Sequence, residues 1–307
     1  SIPSWIKVKW RFCILRVWEP SFGCPKLHVI LAKMLHKLRL RILWISRDVF
    51  HALGRKLSFK GYEGTVRVLC LHGICRDDQK FINSRFLRES QLENLLRSMQ
   101  SRVHFLSLQE YLDRKVDPNR LNVLITFDDG YKNNRTLALP ILEKYQVPAT
   151  IFCTTQEVHQ DDLKDIARDT SQSPDTLDIE RGGYENFFEL LTDAELMELN
   201  QHTLIDLANH GAKHISFLKH SAEEVLQDLK TCEERLNRIG SPFSNVVAYP
   251  YGHHSTELFD LLKNEGYTEQ FIIEGNPECD PRFHDRLVIN PHISTYNQII
   301  SLRNGRH

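Results

Sequence analysis

The sequence predicts an α/β fold built on a mainly parallel sheet with both faces covered. From residue 66 onward, short apolar runs alternate with longer amphipathic ones, the order that successive βαβ units produce. The short runs are apolar almost throughout rather than at every second position, as in strands buried on both faces. With 307 residues, 41% of them hydrophobic, the chain can bury the core of one large domain of the barrel or open-sheet kind.

Taken in order, the elements begin with a head of different composition. Residues 1 to 60 hold 13 Lys and Arg against 2 Asp and Glu, whereas the remainder holds 26 against 38, so a head at +11 precedes a body at −12. All four tryptophans, Trp5, Trp10, Trp18 and Trp44, lie in the head. Its stretch "HVILAKMLHKLRLRILW" (28 to 44), wound as a helix, puts Lys33, Lys37 and Arg41 on one face and Ile30, Met34, Leu38 and Ile42 elsewhere around the axis. That pattern suits an interfacial helix on an anionic membrane, and equally a basic helix docked on the acidic body or a crossover helix of the fold. No stretch reaches about 18 uncharged apolar residues, so a spanning helix is not expected. The sequence opens on Ser1, which leaves open a removed leader or a missing start. Residues 1–60 are thus read as a basic, tryptophan-rich extension to a domain at 61–307.

Strands are expected at "VRVLCLH" (66 to 72), "NVLITFD" (122 to 128), "ATIFCTT" (149 to 155), "TLIDLAN" (203 to 209), "NVVAYPY" (245 to 251), "EQFIIE" (269 to 274) and "RLVINP" (286 to 291). Helices are expected over 84 to 100, 134 to 145, 192 to 202, 221 to 240 and 255 to 266. Thr192 with Glu195, and Ser221 with Glu224, are spaced as capping boxes, and Gly240 and Gly266 end their helices. Residues 157 to 189 fit neither period and carry 10 acidic against 3 basic residues, which reads as a surface insertion or, more sharply, an active-site lid. The seven cysteines are odd in number, scattered and without a CxxC, so reduced and mostly buried thiols are expected.

In a parallel α/β fold the loops after the strands converge on one rim, where reactive side chains gather. The first strand ends at His72, the second runs into Asp128 and Asp129, the fourth into His210 and His214, and the fifth into "YPYG". Two imidazoles four residues apart plus one carboxylate make an open metal site. Neighbouring residues leaving a strand point in different directions, so one aspartate can bind the ion while the other holds a proton. Singly, such signals are ordinary: a DDG is often a turn, and an HxxxH among 15 histidines is usually structural. Their joint occurrence at successive strand ends is the argument.

"TFDDGY", "NHGAKHISFL" and "AYPYG", with "VPATIF" and "LTDAELMEL" between them, resemble the motifs of the polysaccharide deacetylase family, the NodB-homology group of carbohydrate esterases. The resemblance covers about residues 66 to 292 and implies a distorted (β/α)7 barrel. It implies Asp129, His210 and His214 as ligands of a divalent metal, zinc first, with other first-row ions open. It makes Asp128 the general base, gives the Tyr251 backbone N–H to the oxyanion, and lets Pro250 and the Tyr251 ring shape the groove. Two positions depart from the pattern. Ala248 stands where many members have the arginine that tethers the base, and Arg286 is the candidate substitute. Asn290 occupies the slot of the late acid histidine, so His72 is expected as general acid in preference to His292, since first and last strands of a closed barrel are neighbours.

The implied activity is hydrolysis of N-acetyl groups on an amino-sugar polysaccharide or glycolipid-linked sugar. Two other readings use the same residues: a hydrolase of a small non-sugar amide, and a membrane-associated glycan-binding protein with an impaired site. An acidic body without a reading motif argues against nucleic acid as partner. The expected location is the cytoplasm or the periphery of the cytoplasmic membrane, with residues 1–60 meeting an anionic surface.

Overall fold

The structure, a computed structural model, describes residues 25–53, 58–79, 85–155, 188–274 and 280–305. The insertion expected at 157 to 189 lies outside the described residues, apart from Phe188 and Glu189. The chain divides into two compact units between Val49 and Phe50. The first contributes most of one long helix, α1 (Pro25–Ala52), which extends the expected 28 to 44 at both ends. Among the described residues, no helix is long and apolar enough to cross a membrane.

The second unit runs β1 (Val66–Leu71), β2 (Gly73–Cys75), β3 (Phe86–Arg88), α2 (Glu89–Met99), β4 (Val103–Leu106), α3 (Leu108–Leu112), β5 (Leu121–Phe127), α4 (Leu139–Tyr145) and β6 (Ala149–Cys153). It continues with α5 (Asp193–Asn200), β7 (Ile205–Asn209), α6 (Ala222–Ile239), β8 (Phe243–Ala248), α7 (Thr256–Asn264), β9 (Gln270–Ile272), β10 (His284–Asp285), β11 (Leu287–Val288) and α8 (Thr295–Asn304). Thr192 and Ser221 cap α5 and α6 through the expected boxes with Glu195 and Glu224, and Gly240 closes α6 at φ 89°. Among the described residues Cys70, Cys75, Cys153 and Cys232 are free and buried.

The strands are parallel in the order β10-β9-β8-β7-β6-β5-β1-β11, with β4 beside the first half of β5. The two end strands of that order, β10 and β11, are separated by Arg286 alone. Residues 284 to 288 therefore pair with β9 through His284 and Asp285 and with β1 through Leu287 and Val288. One passage of chain thus closes the sheet into the expected (β/α)7 barrel.

Side-chain alternation sorts the strands into an outer and an inner series. Leu69, Leu71, Val123, Ile125, Phe127 and Leu287 pack outward into the main core with α2, α4, α5 and α6. Val68, Leu124, Phe152, Ala208, Val246, Ala248 and Phe271 fill the barrel, joined by Leu108 of α3. That short helix plugs the N-terminal end: the Leu108 N–H donates to Asp206 (2.9 Å), and the Tyr111 hydroxyl pairs with His284 Nδ1 (2.8 Å). Toward the opposite end the inner series carries Cys70, Thr126, Asp128, His210 and Arg286.

Two expected elements differ. The helix expected over 84 to 100 begins at Glu89, because Phe86–Arg88 pairs with β2 and the Gln91 side chain accepts the Arg88 N–H at 2.9 Å. Tertiary pairing here overrides a helical pattern. The strand expected at 286 to 291 starts two residues earlier and breaks at Arg286, which switches ladder partners. Truncating Leu124, fully buried inside the barrel, to Ala should lower stability by about 2–5 kcal/mol, read as a shift of the urea midpoint with an unchanged m-value.

Candidate active site

Asp128 follows β5 in the inner series and is 1% exposed. Arg286 reaches it across the barrel, donating from Nη1 to Oδ1 at 2.6 Å and from Nη2 to Oδ2 at 2.8 Å. The guanidinium also donates to Thr126 Oγ1 (3.2 Å) and the Ile272 carbonyl (3.3 Å), and lies 5.3 Å from the Phe152 ring. Arg286 is itself fully buried. Burial alone would raise the Asp128 carboxyl, but Arg286 and then His210 more than offset it and hold the group below its ordinary range. The Cys70 thiol lies 3.4 Å from Oδ2; burial pushes its pKa well up, so it stays protonated and donates to the carboxylate.

Asp129 would point outward if the strand continued. Instead its φ of 73°, followed by Gly130 at 71°, turns the chain and aims its carboxylate along the rim. Oδ1 lies 3.5 Å from His210 Nε2 and 3.3 Å from His214 Nε2. Neither Asp129 oxygen accepts a hydrogen bond, although both are buried. Buried carboxylate oxygens facing two imidazole nitrogens form a donor set suited to a cation. The spacing fits one, since donors bound at about 2.0–2.1 Å around a tetrahedral ion lie roughly 3.3 Å apart. Burial opposes the charged carboxylate, yet His214 and His210 outweigh it and keep Asp129 well below the usual range.

The histidine loop is shaped from behind. His210 Nδ1 lies 2.8 Å from the Ala248 carbonyl, which makes it the N–H donor and leaves Nε2 with its lone pair toward Asp129. The Asn209 side chain accepts the Gly211 N–H (2.9 Å) and donates to the carbonyls of Leu229 and Ser244. Asp228, on α6, accepts from the N–H groups of Ala212 (3.1 Å) and Lys213 (2.9 Å). Gly211, at φ 77°, is required there, because a Cβ would sit 2.3 Å from Asp228 Oδ2. His214 is held at φ 56°.

His72 follows β1 in the same inner series and is half-buried. A ring nitrogen of His72, Cys70 Sγ and an Asp128 oxygen lie within 4.8 Å of one another. Asn134 donates to the His72 carbonyl at 2.7 Å, and Asn133 accepts the Ile74 N–H at 2.8 Å, so the loop after "DDGY" fixes the strand end that carries this imidazole. Burial pushes the His72 imidazole down to about 4. His292 is exposed on the loop before α8, its backbone N–H donating to Asn290 Oδ1 at 2.8 Å. Pro250 is buried, and Tyr251, at φ 60°, presents a ring that is 40% exposed, 4.6 Å from His214 and stacked on His253. Asp129, His214 and Tyr251 are three of the five non-glycine residues at positive φ among those described, a concentration of strain typical of functional sites.

Beside the eight residues named from sequence, the structure places Cys70, Asn209 and Asp228, which the sequence did not single out. Asp228 sits mid-helix, where sequence offers no sign that it faces a loop.

A parallel barrel with two acids and two imidazoles on the C-terminal rim of its strands defines the class, an α/β-barrel enzyme of hydrolytic type. The particular family follows from comparison. The polysaccharide deacetylase model matches residues 115–270, and the chain belongs to that family, whose members are hydrolases acting on carbon–nitrogen bonds. A poly-β-1,6-N-acetyl-D-glucosamine N-deacetylase of Staphylococcus aureus (strain N315) is 25% identical over 235 residues, which cover 74% of this chain and 75% of that protein. A polysaccharide deacetylase from Bacillus cereus superposes with a TM-score of 0.59 at 20% identity, covering 78% of this chain and 69% of its own. IcaB from Ammonifex degensii gives 0.58 at 19% identity, with coverage of 78% and 97%. These two likenesses carry the fold.

Two outcomes are expected. Arg286→Met leaves the Asp128 carboxylate buried without its partner and should cost about 3–5 kcal/mol in denaturant unfolding at neutral pH. The second concerns pH. A histidine whose folded pKa is depressed binds its proton more readily when unfolded, so the stability it contributes is present above the unfolded pKa and lost as pH falls toward the folded value of about 4. Between about pH 6.5 and 4, chelator-treated wild type should therefore lose more stability than His72→Gln in parallel urea titrations.

Proposed function

We propose that the chain is a metal-dependent N-deacetylase acting on an N-acetylated amino-sugar glycan. The observation that carries this reading is the division of the acid pair, with Asp128 clamped by Arg286 and Asp129 turned to His210 and His214. Asp129, His210 and His214 would hold a divalent ion, zinc first, which when bound supplies Lewis acidity toward the acetyl carbonyl and toward water.

The chain's own residues do the rest. Asp128, kept ionised by Arg286, takes the proton from the attacking water. The Tyr251 backbone N–H donates to the oxyanion, a contribution of roughly 3 kcal/mol in comparable sites. His72 is neutral above about pH 4, so it must gain a proton before it can give one to the leaving amine. The Asp128 carboxyl, newly protonated, is its nearest source, and the two hand one proton across the site. The exposed Tyr251 ring beside Pro250 offers an apolar face to a sugar ring.

The polymer named for the Staphylococcus aureus relative, poly-β-1,6-N-acetyl-D-glucosamine, is the first substrate to test. We assign the basic residues 1–60 to an anionic membrane surface, and the protein accordingly to the periphery of the cytoplasmic membrane.

Acetate release from β-1,6-linked N-acetylglucosamine oligomers should be abolished by chelation and restored by zinc or another first-row ion. Asp128→Asn should reduce kcat by about 10²–10⁴-fold with the metal still bound. Release that survives both treatments would defeat this mechanism. Tight metal binding with no release from any N-acetylated glycan would shift the reading to a small amide substrate or to glycan binding alone.

A further inference from the structure

Among the described residues, one side of α1 is left exposed. Leu38, Ile42, Ile45 and Val49 are 54%, 59%, 63% and 52% exposed, values that for four large apolar residues on one helix require an occupant. Their spacing of four, three and four gathers them in an arc of about 60° at 100° per residue. On the same helical wheel exposed Arg41 lies beside one edge of the arc, and exposed Arg39 lies beyond the other, with exposed Phe50 and Leu43 past it. Leu40, Trp44, Arg47 and Asp48, on the remaining circumference, are half-buried. By sequence the helix carries Lys26, Lys33, Lys37, Arg39, Arg41 and Arg47 against Asp48 alone.

We propose that α1 lies flat on an anionic lipid surface, with Leu38, Ile42, Ile45 and Val49 pressed into the acyl boundary and Arg39 and Arg41 among the headgroups. The inference deepens the membrane assignment above and rests on it. Charge complementarity selects the occupant. A second copy of the chain would bring two strongly basic helices together along this face, whereas anionic headgroups neutralise Arg39 and Arg41 as the apolar arc leaves water. The body, at −12 against the head's +11, is repelled by the same headgroups, so the head makes the contact. Arginine stems reach outward from the edges of an inserted apolar strip while their guanidinium groups stay in the headgroup layer.

The test is flotation of the full chain with vesicles of phosphatidylcholine containing phosphatidylglycerol, against vesicles of phosphatidylcholine alone. Wild type should float with the anionic vesicles and be partly released by high salt. The double variant Ile42→Glu, Ile45→Glu should bind at least about tenfold more weakly. Arg39→Glu with Arg41→Glu should remove the preference for anionic lipid. Acetate release from soluble oligomers should match wild type in both variants, which also reports that they fold. Wild type that ignores anionic vesicles would overturn this inference and the membrane assignment together. Equal binding by wild type and the Ile42, Ile45 variant would overturn this face as the contact while leaving the membrane assignment standing. A wild-type dimer in solution that the glutamates dissociate, with no vesicle binding, would give the face to a second copy.

Discussion

The bidentate pair between Arg286 and Asp128 is the contact on which the site depends. It lies inside a barrel, where neither partner is solvated, so each charge is tolerable only because the other is present. It also joins the two ends of the sheet. Arg286 is the one residue between the ladder on β9 and the ladder on β1, and its side chain ties that seam to the strand end that carries both acids. Thr126 and the Ile272 carbonyl take further guanidinium donors, so the arginine has little freedom to turn, and Asp128 inherits its orientation.

Much of this was legible in the sequence because strand alternation does much of the placing. Once "VRVLCLH" and "NVLITFD" are read as parallel neighbours, the period of two puts Cys70, His72, Thr126 and Asp128 on one inner wall. The paired aspartates then make physical sense. The first completes the inner series, and the second needs a left-handed backbone to leave it, which the following glycine helps to supply. The arginine substitute was identifiable at Arg286, although the strand expected around it was misplaced, because only the register shows that chain 284 to 288 serves two ladders.

Less legible was whatever depends on one element meeting another at a distance. Phe86–Arg88 looks helical by period and becomes a strand because β2 offers it a ladder. The plug helix α3 is only five residues long, too short for a periodic signal, and its place is set by Asp206 and His284 from elsewhere in the chain. Asp228 looks like any acidic residue in an amphipathic helix until the loop of Gly211, Ala212 and Lys213 wraps its carboxylate. The left-handed conformation of Tyr251 is likewise imposed by its surroundings.

Arg286 follows Asp128 in sequence, and that order has a consequence for the barrel while the chain is being made. Asp128 and its partner are 158 residues apart in sequence, and the candidate ion-holding residues are all made before the partner is. During synthesis from the N-terminus, six staves of the barrel can associate while the seventh is still unmade. Until then the pocket at Asp128 lacks its largest counter-charge, and burial pushes the carboxyl toward its protonated form. A chain made or cut short of Arg286 thus holds Asp129, His210 and His214 without the partner that keeps Asp128 ionised. Arrival of residues 284 to 288 closes the barrel and gives Asp128 its counter-charge in one event, the seventh stave acting as both latch and ignition.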